Sequence, residues 1–270
     1  MTIAELQEDR VVEGVYAVRL KRKLRTKSGT SYLALELVDT TGRIEARVWN
    51  DVELLDGRFA EGDAVRVLAR VERFRDRLQL DVRSLEATDV DPVTLTPSIR
   101  RDREELGGFL EFLVAEISHP GLRRTAEAVL ADRQLAAVPA TPEDHHSYAG
   151  GLLEHTVGVA TLARETGQLH PRIRSDLLLA AALVHDVGRT VELGPGPAFA
   201  VTAEGRLLGH VHLGLRLIEE RAEGLTGAQL AELLHCVAVH HDARGAKSAE
   251  AAVLYHANQL DAIAATRRVD

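Results

Sequence analysis

The hydrophobic pattern of this chain changes period once, near Leu106, and that change limits the fold more than any other feature. Before it, apolar residues alternate. Leu33, Leu35 and Leu37 share one face of "SYLALELVD", Ile44, Ala46 and Val48 one face of "RIEARVWN", and Val65, Val67, Ala69 and Val71 one face of "AVRVLARV"; "RLQLDV" repeats the device. Period two marks half-buried antiparallel strands. Turn signals at "SGT" (28–30), "DTTG" (39–42) and "EGD" (61–63) separate them. Five short strands in about eighty residues predict a small antiparallel β-barrel, with the OB-fold as the leading candidate.

After Leu106 the spacing is three and four. "LGGFLEFLVAEI", "LRRTAEAVLADR", "GLLEHTVGVATLARE", "SDLLLAAALVHDVG", "LLGHVHLGLRLIEER", "TGAQLAELLHCVAVHH" and "AEAAVLYHANQLDAIAATR" each read as amphipathic or buried helices. Thr226 with Gln229 predicts a capping box, and Ser175 is placed to cap the fourth helix. The fold class is therefore α+β and multidomain: a barrel over residues 1–88, a linker with two prolines over 89–105, and an all-α domain over 106–270.

Composition narrows the class of partner. A net charge of −8 excludes a polycation that coats duplex DNA. One cysteine, Cys236, cannot form an internal disulfide, and the polar start "MTIAELQEDR" resembles no signal peptide, so a cytoplasmic protein is expected. No run of 18 apolar residues is present, and no membrane partner is expected. Charge is uneven, however. Residues 10–27 hold seven Arg or Lys against one Glu, and the polar faces of the strands carry Arg47, Trp49, Arg66, Arg70, Arg73, Phe74, Arg75 and Arg77. Arginines interleaved with aromatic rings suit a single strand of RNA or DNA, with phosphates on the cations and bases on the rings. A solvated barrel face gives the same pattern. Arg47, Trp49, Arg75 and Arg77 are the expected contacts.

The histidines are more telling, since eleven of twelve fall between residues 145 and 256. His155, the pair His185 and Asp186, His210, the pair His240 and His241, and Asn258 with Asp261 interrupt the apolar faces of five different predicted helices. A single histidine on an apolar face is usually a core residue with its hydrogen bonds made. Five inward-facing groups are a different matter, because each buried polar group left unpaired costs ~1–3 kcal/mol. One or two divalent transition-metal ions supply a common partner. Imidazole and carboxylate donors suit Mn, Fe, Co, Ni or Zn, and the absence of thiolate ligands argues against a closed structural zinc site.

The series His…His-Asp…Asp on consecutive helices resembles the HD superfamily of metal-dependent phosphohydrolases. The longer string "HHSYAGGLLEHT" (145–156), followed by "DLLLAAALVHDVGR", "EGRLLGHVHLG" and "VAVHHD", resembles the YhaM-type 3′→5′ exoribonucleases, which join an N-terminal OB domain to an HD domain. The resemblance implies that His155, His185 and Asp186 are metal ligands and that His210 and His240 hold a second ion. His241 is adjacent to His240, and the sequence leaves open which of the two points inward. Arg189 stands where many HD proteins have Lys, so a cation for phosphate contact is kept. The last HD ligand is normally an Asp, and the matching position here is Asn258, with Asp261 three residues on and on the same helix face. Either Asn258 ligates through its amide oxygen, Asp261 takes over, or the site is weakened. His145, His146, Tyr148 and His241 are expected to contact substrate, together with Arg189.

The expected function is a metal-dependent 3′→5′ exonuclease on single-stranded RNA, with DNA as a second substrate, manganese as the first ion and metal-activated water as the nucleophile. Asp186 and Arg189 are the expected catalytic residues. An HD phosphohydrolase for a small nucleotide and a non-catalytic single-strand-binding protein with a degraded metal site are the competing readings. The "GYP" of cyclic-dinucleotide phosphodiesterases is absent after His241, which discounts that substrate. A homo-oligomer stays open.

Overall fold

Alternation of apolar residues produces five strands in the computed structural model: β1 (Val11–Arg25), β2 (Ser31–Asp39), β3 (Gly42–Val48), β4 (Ala64–Phe74) and β5 (Arg77–Thr88), with a short helix α1 (Val52–Asp56) between β3 and β4. The residues described are 1–99, 101–131, 134–194 and 196–266. They divide into two compact units, Met1–Ser98 with Pro195–Phe199, and Ile99–Gly194 with Ala200–Asp270.

The strands close into a barrel in the order β1-β2-β3-β5-β4. Strand β1 is long enough to serve both sides: Val11–Ala17 pair with β4, and Ala17–Arg25 pair with β2, with a register shift between Val18 and Leu20. The alternating residues read from the sequence fill the interior, since Leu33, Leu35, Leu37, Ala46, Val65, Val67, Ala69 and Val71 are all buried. One pairing departs from the expected antiparallel barrel. Strands β3 and β5 run parallel, with Ala46 opposite Leu80 and Val48 opposite Val82. The pairings β1–β2, β2–β3, β1–β4 and β4–β5 are all antiparallel, so β3 and β5 both run in the direction of β1, and the pairing that closes the five-stranded cylinder is parallel.

The second unit is helical: α2 (Arg103–Ala115), α3 (Pro120–Leu130), α4 (Gly151–Leu169), α5 (Ser175–Val184), α6 (Arg189–Glu192), α7 (Ala203–Arg221), α8 (Gly227–Ala238) and α9 (Ala249–Thr266). The segment expected to be a linker holds a 3-10 turn at Pro92–Leu95 and the first residues of α2. Asp102 caps α2, accepting from the backbone N–H groups of Glu104 and Glu105.

Helix α5 explains the architecture. Every residue from Leu177 to Val184 is buried, because α5 lies at the centre, packed against α2, α3, α4, α8 and α9. Each fully buried leucine there contributes roughly 1.5–3 kcal/mol of transfer free energy. Ser175 does not cap it; its hydroxyl donates to the Gly167 carbonyl on α4 instead, and Arg174 holds the cap position. The Thr226–Gln229 capping box of α8 forms as the sequence predicts. Among the described residues, no helix is long and apolar enough to cross a membrane.

Candidate metal centre and nucleic-acid face

His185 and Asp186 stand at the end of the apolar helix, as the sequence suggests, but just past its last turn. Helix α5 ends at Val184, and the two residues begin a turn that runs to Gly188 before α6. The apolar helix drives this turn into the interior, where His185 is wholly buried and Asp186 is 3% exposed. Gly188 lets α7 come close: a Cβ there would lie 2.0 Å from the His210 carbonyl oxygen. His240 and His241 likewise fall just past the end of α8, His240 buried and His241 exposed.

Hydrogen bonds at one ring nitrogen decide what the other can do. His185 Nδ1 donates to the Ala182 carbonyl at 2.7 Å, His240 Nδ1 to the Val237 carbonyl at 2.6 Å, and His155 Nδ1 to Asp261 Oδ2 at 2.6 Å. In the neutral rings, each Nε2 therefore carries a lone pair. Those lone pairs converge. His155 Nε2 and His185 Nε2 are 3.3 Å apart, with Asp186 Oδ2 at 3.9 and 3.8 Å. On the other side of the same carboxylate, Asp186 Oδ1 lies 3.3 Å from both His210 Nε2 and His240 Nε2. Asp186 Oδ1 and His240 Nε2 are buried and have no hydrogen-bond partner. His241 joins the second group, with its Nε2 3.0 Å from that of His210.

Protonating His185 or His241 would not relieve this arrangement. Burial, with His240 and His155 beside it, pushes His185 down to about 3 despite the Asp186 charge. Burial and His240 push His241 down to about 4. Burial alone would raise Asp186, but His185, His240 and Arg189 hold it well below the usual carboxylate range. A carboxylate facing neutral imidazole lone pairs needs a cation that accepts electron pairs. The donor set fits one or two divalent transition-metal ions, with the two oxygens of Asp186 facing the two groups of histidines.

The other predicted site residues fall into place around this centre. Arg189 brings its Nε to 3.8 Å from Asp186 Oδ2 and donates from Nη1 to Glu192 at 2.6 Å. The ring of His145 lies 4.9 Å from that of His155, with a buried, unpartnered Nδ1. His146 and Tyr148 face away from the convergence point, behind His155. His146 Nε2 donates to Asp261 Oδ2 at 3.0 Å, its Nδ1 lies 2.8 Å from the Tyr148 hydroxyl, and that hydroxyl donates to Glu154. The Asp261 carboxylate accepts from His155 Nδ1 and His146 Nε2, and these three residues form a further group whose ligand atoms lie close enough together to hold an ion. Asn258 is buried, and its amide donates to the His240 carbonyl at 3.4 Å.

Glu192 is missed by the sequence reading. Gly209, at φ +69° and ψ 161°, breaks α7 and frees the backbone N–H of His210, which donates to Glu192 Oε1 at 3.2 Å. The same carboxylate binds Arg189, three residues before it, and that charge spacing was the available signal.

On the barrel, Trp49 is 42% exposed and stacks on Tyr32, ring centroids 4.7 Å apart. The Arg47 guanidinium lies 5.9 Å from the Tyr32 ring and also binds Glu45 at 2.7 Å. Arg47, Phe74, Arg75, Arg77 and Gln79 line a cleft of about 330 Å³. Three other arginines do not join them. Arg66, Arg70 and Arg73 pair with Glu13, Asp9 and Glu8 at 3.3, 3.0 and 2.9 Å.

Two domain families match the chain, "OB-fold nucleic acid binding domain" over residues 15–88 and "HD domain" over 152–263. Proteins named 3'-5' exoribonuclease YhaM match along most of its length. That of a Geobacillus species is 28% identical, covering 87% of this chain and 77% of its own; that of Halalkalibacterium halodurans is 29% identical, covering 87% and 76%. The relative from Oceanobacillus iheyensis is 29% identical, covering 85% and 75%. The chain is thus similar to the YhaM-type exoribonucleases over most of its length and carries both an OB-fold and an HD domain. In this chain the barrel comes first and the histidine-rich helices second.

Proposed function

We propose that this chain is a metal-dependent 3′→5′ exonuclease that hydrolyses phosphodiester bonds of single-stranded RNA, with single-stranded DNA as a second substrate. The observation that carries the reading is the pair of facing lone pairs, His155 Nε2 and His185 Nε2, 3.3 Å apart beside the Asp186 carboxylate. The name 3'-5' exoribonuclease shared by the relatives, and the pairing of an HD domain with an OB-fold, support a hydrolytic nuclease.

His155, His185 and Asp186 would hold one ion, and Asp186, His210 and His240, with His241 at the rim, a second. Bound there, a divalent ion lowers the pKa of coordinated water and neutralises charge on the phosphoryl oxygens. Manganese is the first choice, with iron, cobalt, nickel and zinc also suited to imidazole and carboxylate donors. The chain's own residues do the rest. Buried α5 fixes His185 and Asp186 in place, the Ala182 and Val237 carbonyls lock two rings in the ligating tautomer, and Arg189 brings a guanidinium beside the carboxylate, placed to contact a phosphate. On the barrel, Tyr32, Trp49 and Phe74 offer ring faces to bases while Arg47, Arg75 and Arg77 offer cations to phosphates.

The test is one assay on 5′-labelled single-stranded RNA and DNA, with Mn, Mg, Co and chelator arms. Progressive shortening from the 3′ end, stopped by chelator, is expected. Internal fragments, or no cleavage with any ion, would overturn the reading.

A further inference from the structure

We infer that Asp261 is a positioning residue that orients His155 from behind, in a space that Gly158 keeps open, and is not itself a metal ligand. The inference rests on the metal reading of the centre and assigns a job to the acidic group of α9 that meets His155.

The geometry separates the two roles. A ligand would approach the Nε2 side of His155, where His185 and Asp186 lie; Asp261 sits on the Nδ1 side, its Oδ2 accepting at 2.6 Å. A carboxylate accepting from Nδ1–H fixes both the ring plane and the tautomer, so that Nε2 presents its lone pair to the centre.

Room for this carboxylate is made by one absent side chain. Gly158 follows His155 by three residues and so shares its face of α4. A Cβ at Gly158 would lie 2.1 Å from Asp261 Oδ1, closer than any real contact. The carboxylate of α9 therefore fills the volume that any other residue at position 158 would occupy. An isolated glycine in a 19-residue helix is otherwise unfavourable, by ~1 kcal/mol relative to alanine.

Further bonds tie Asp261 to the start of α4. Its Oδ2 also accepts from His146 Nε2 at 3.0 Å, His146 Nδ1 meets the Tyr148 hydroxyl at 2.8 Å, and Tyr148 donates to Glu154. Glu154 is the neighbour of His155. These contacts run from α4 through residues 148 and 146 to α9 and back to α4 through His155; with the Tyr148 proton on Glu154, the His146–Tyr148 contact is a hydrogen bond when His146 donates from both ring nitrogens.

The full-length chain carrying Asp261→Asn, Asp261→Ala, Gly158→Ala or the Gly158→Ala/Asp261→Ala pair tests the inference with two readouts besides activity. Long-range nitrogen-15 NMR of the histidine rings in metal-free protein reports which nitrogen of His155 bears the proton. Titration with Co²⁺, followed by its visible absorption, reports affinity and ligand environment. The parent should show His155 protonated at Nδ1. Asp261→Ala and Gly158→Ala should each mix the tautomers and weaken Co²⁺ binding by about 10–100-fold, the range for groups that orient a metal ligand. The pair should be no weaker than Asp261→Ala alone, since both changes remove the same contact. Asp261→Asn keeps an acceptor oxygen, so it should stay within a few-fold of the parent with an unchanged Co²⁺ spectrum. Thermal unfolding of each variant separates loss of orientation from loss of fold. A parent His155 protonated at Nε2, or an Asn variant that loses affinity and alters the spectrum as much as the Ala variant, would overturn the inference in favour of direct ligation. If the parent binds no Co²⁺, the metal reading fails by itself, and the tautomer spectra still decide what Asp261 does.

Discussion

The barrel and the helical domain each gather basic side chains, and they do so under opposite conditions. On the barrel the arginines are at the surface, where water and neighbouring carboxylates are always on hand. Arg66, Arg70 and Arg73 take that option and pair with acids of β1 and the preceding turn, while Arg75 and Arg77 line the cleft beside Phe74. In the helical domain the histidines are inside, with one nitrogen committed to a carbonyl or carboxylate and the other aimed at its neighbours. Exposed cations have several satisfactory partners, so a run of them says little about function. Buried lone pairs that face one another have one class of partner, so they say a great deal.

The largest effect that would break this contrast lies at Asp186. Its two oxygens face both histidine groups, so Asp186→Ala should lower metal affinity and cleavage by well over the roughly 10–100-fold typical of outer partners, with His185→Ala close behind. Parallel metal titrations and cleavage assays check this. Retention of full affinity in either variant would mean that the histidine cluster is only a core.

Glu192→Ala comes next. It removes the acceptor that holds the His210 backbone and the partner of Arg189, and a loss of roughly tenfold in metal affinity is expected, within the range for such supports. Isothermal titration of parent and variant decides it; an unchanged affinity would leave Glu192 a partner of Arg189 alone.

On the barrel the effects are smaller and should show in binding rather than chemistry. Trp49→Ala should weaken affinity for a long single strand by about thirtyfold, the middle of the ~1–3 kcal/mol attributed to one stacked base, and leave kcat on a very short oligonucleotide unchanged. Fluorescence anisotropy with the two lengths would show it. Smallest of all is the salt response. Arg75→Ala and Arg77→Ala should each lower the slope of log Kd against log salt by about 0.7, the contribution of one single-strand phosphate contact. Arg66→Ala and Arg70→Ala, whose cations are already paired, should leave that slope alone. Equal changes in both sets would show that the whole barrel surface binds without a preferred face.

Much of this was legible in the sequence, for physical reasons that differ by region. Alternation at Leu33–Leu37 and Val65–Val71 could only serve a half-buried sheet, and the barrel followed; the parallel β3–β5 pairing did not, because strand direction leaves no mark on a period-two pattern. The histidines and Asp186 stood out because apolar helices rarely carry them inward. Their placement past the ends of α5 and α8 was hidden, since an apolar run and the turn that follows it look continuous. Asp261 was the hardest residue to read. Spacing put it on the right helix face, but whether a carboxylate meets the Nε2 or the Nδ1 side of His155 depends on how α4 and α9 approach, and only Gly158 hinted at that approach.

The most direct test of the central claim is metal content per chain. After loading with Mn²⁺ or Co²⁺ and removal of free ion, elemental analysis of the parent should give two ions per chain, and Asp186→Ala should give nearly none. A parent that retains no divalent ion, or an Asp186→Ala chain that retains as much as the parent, would contradict the account.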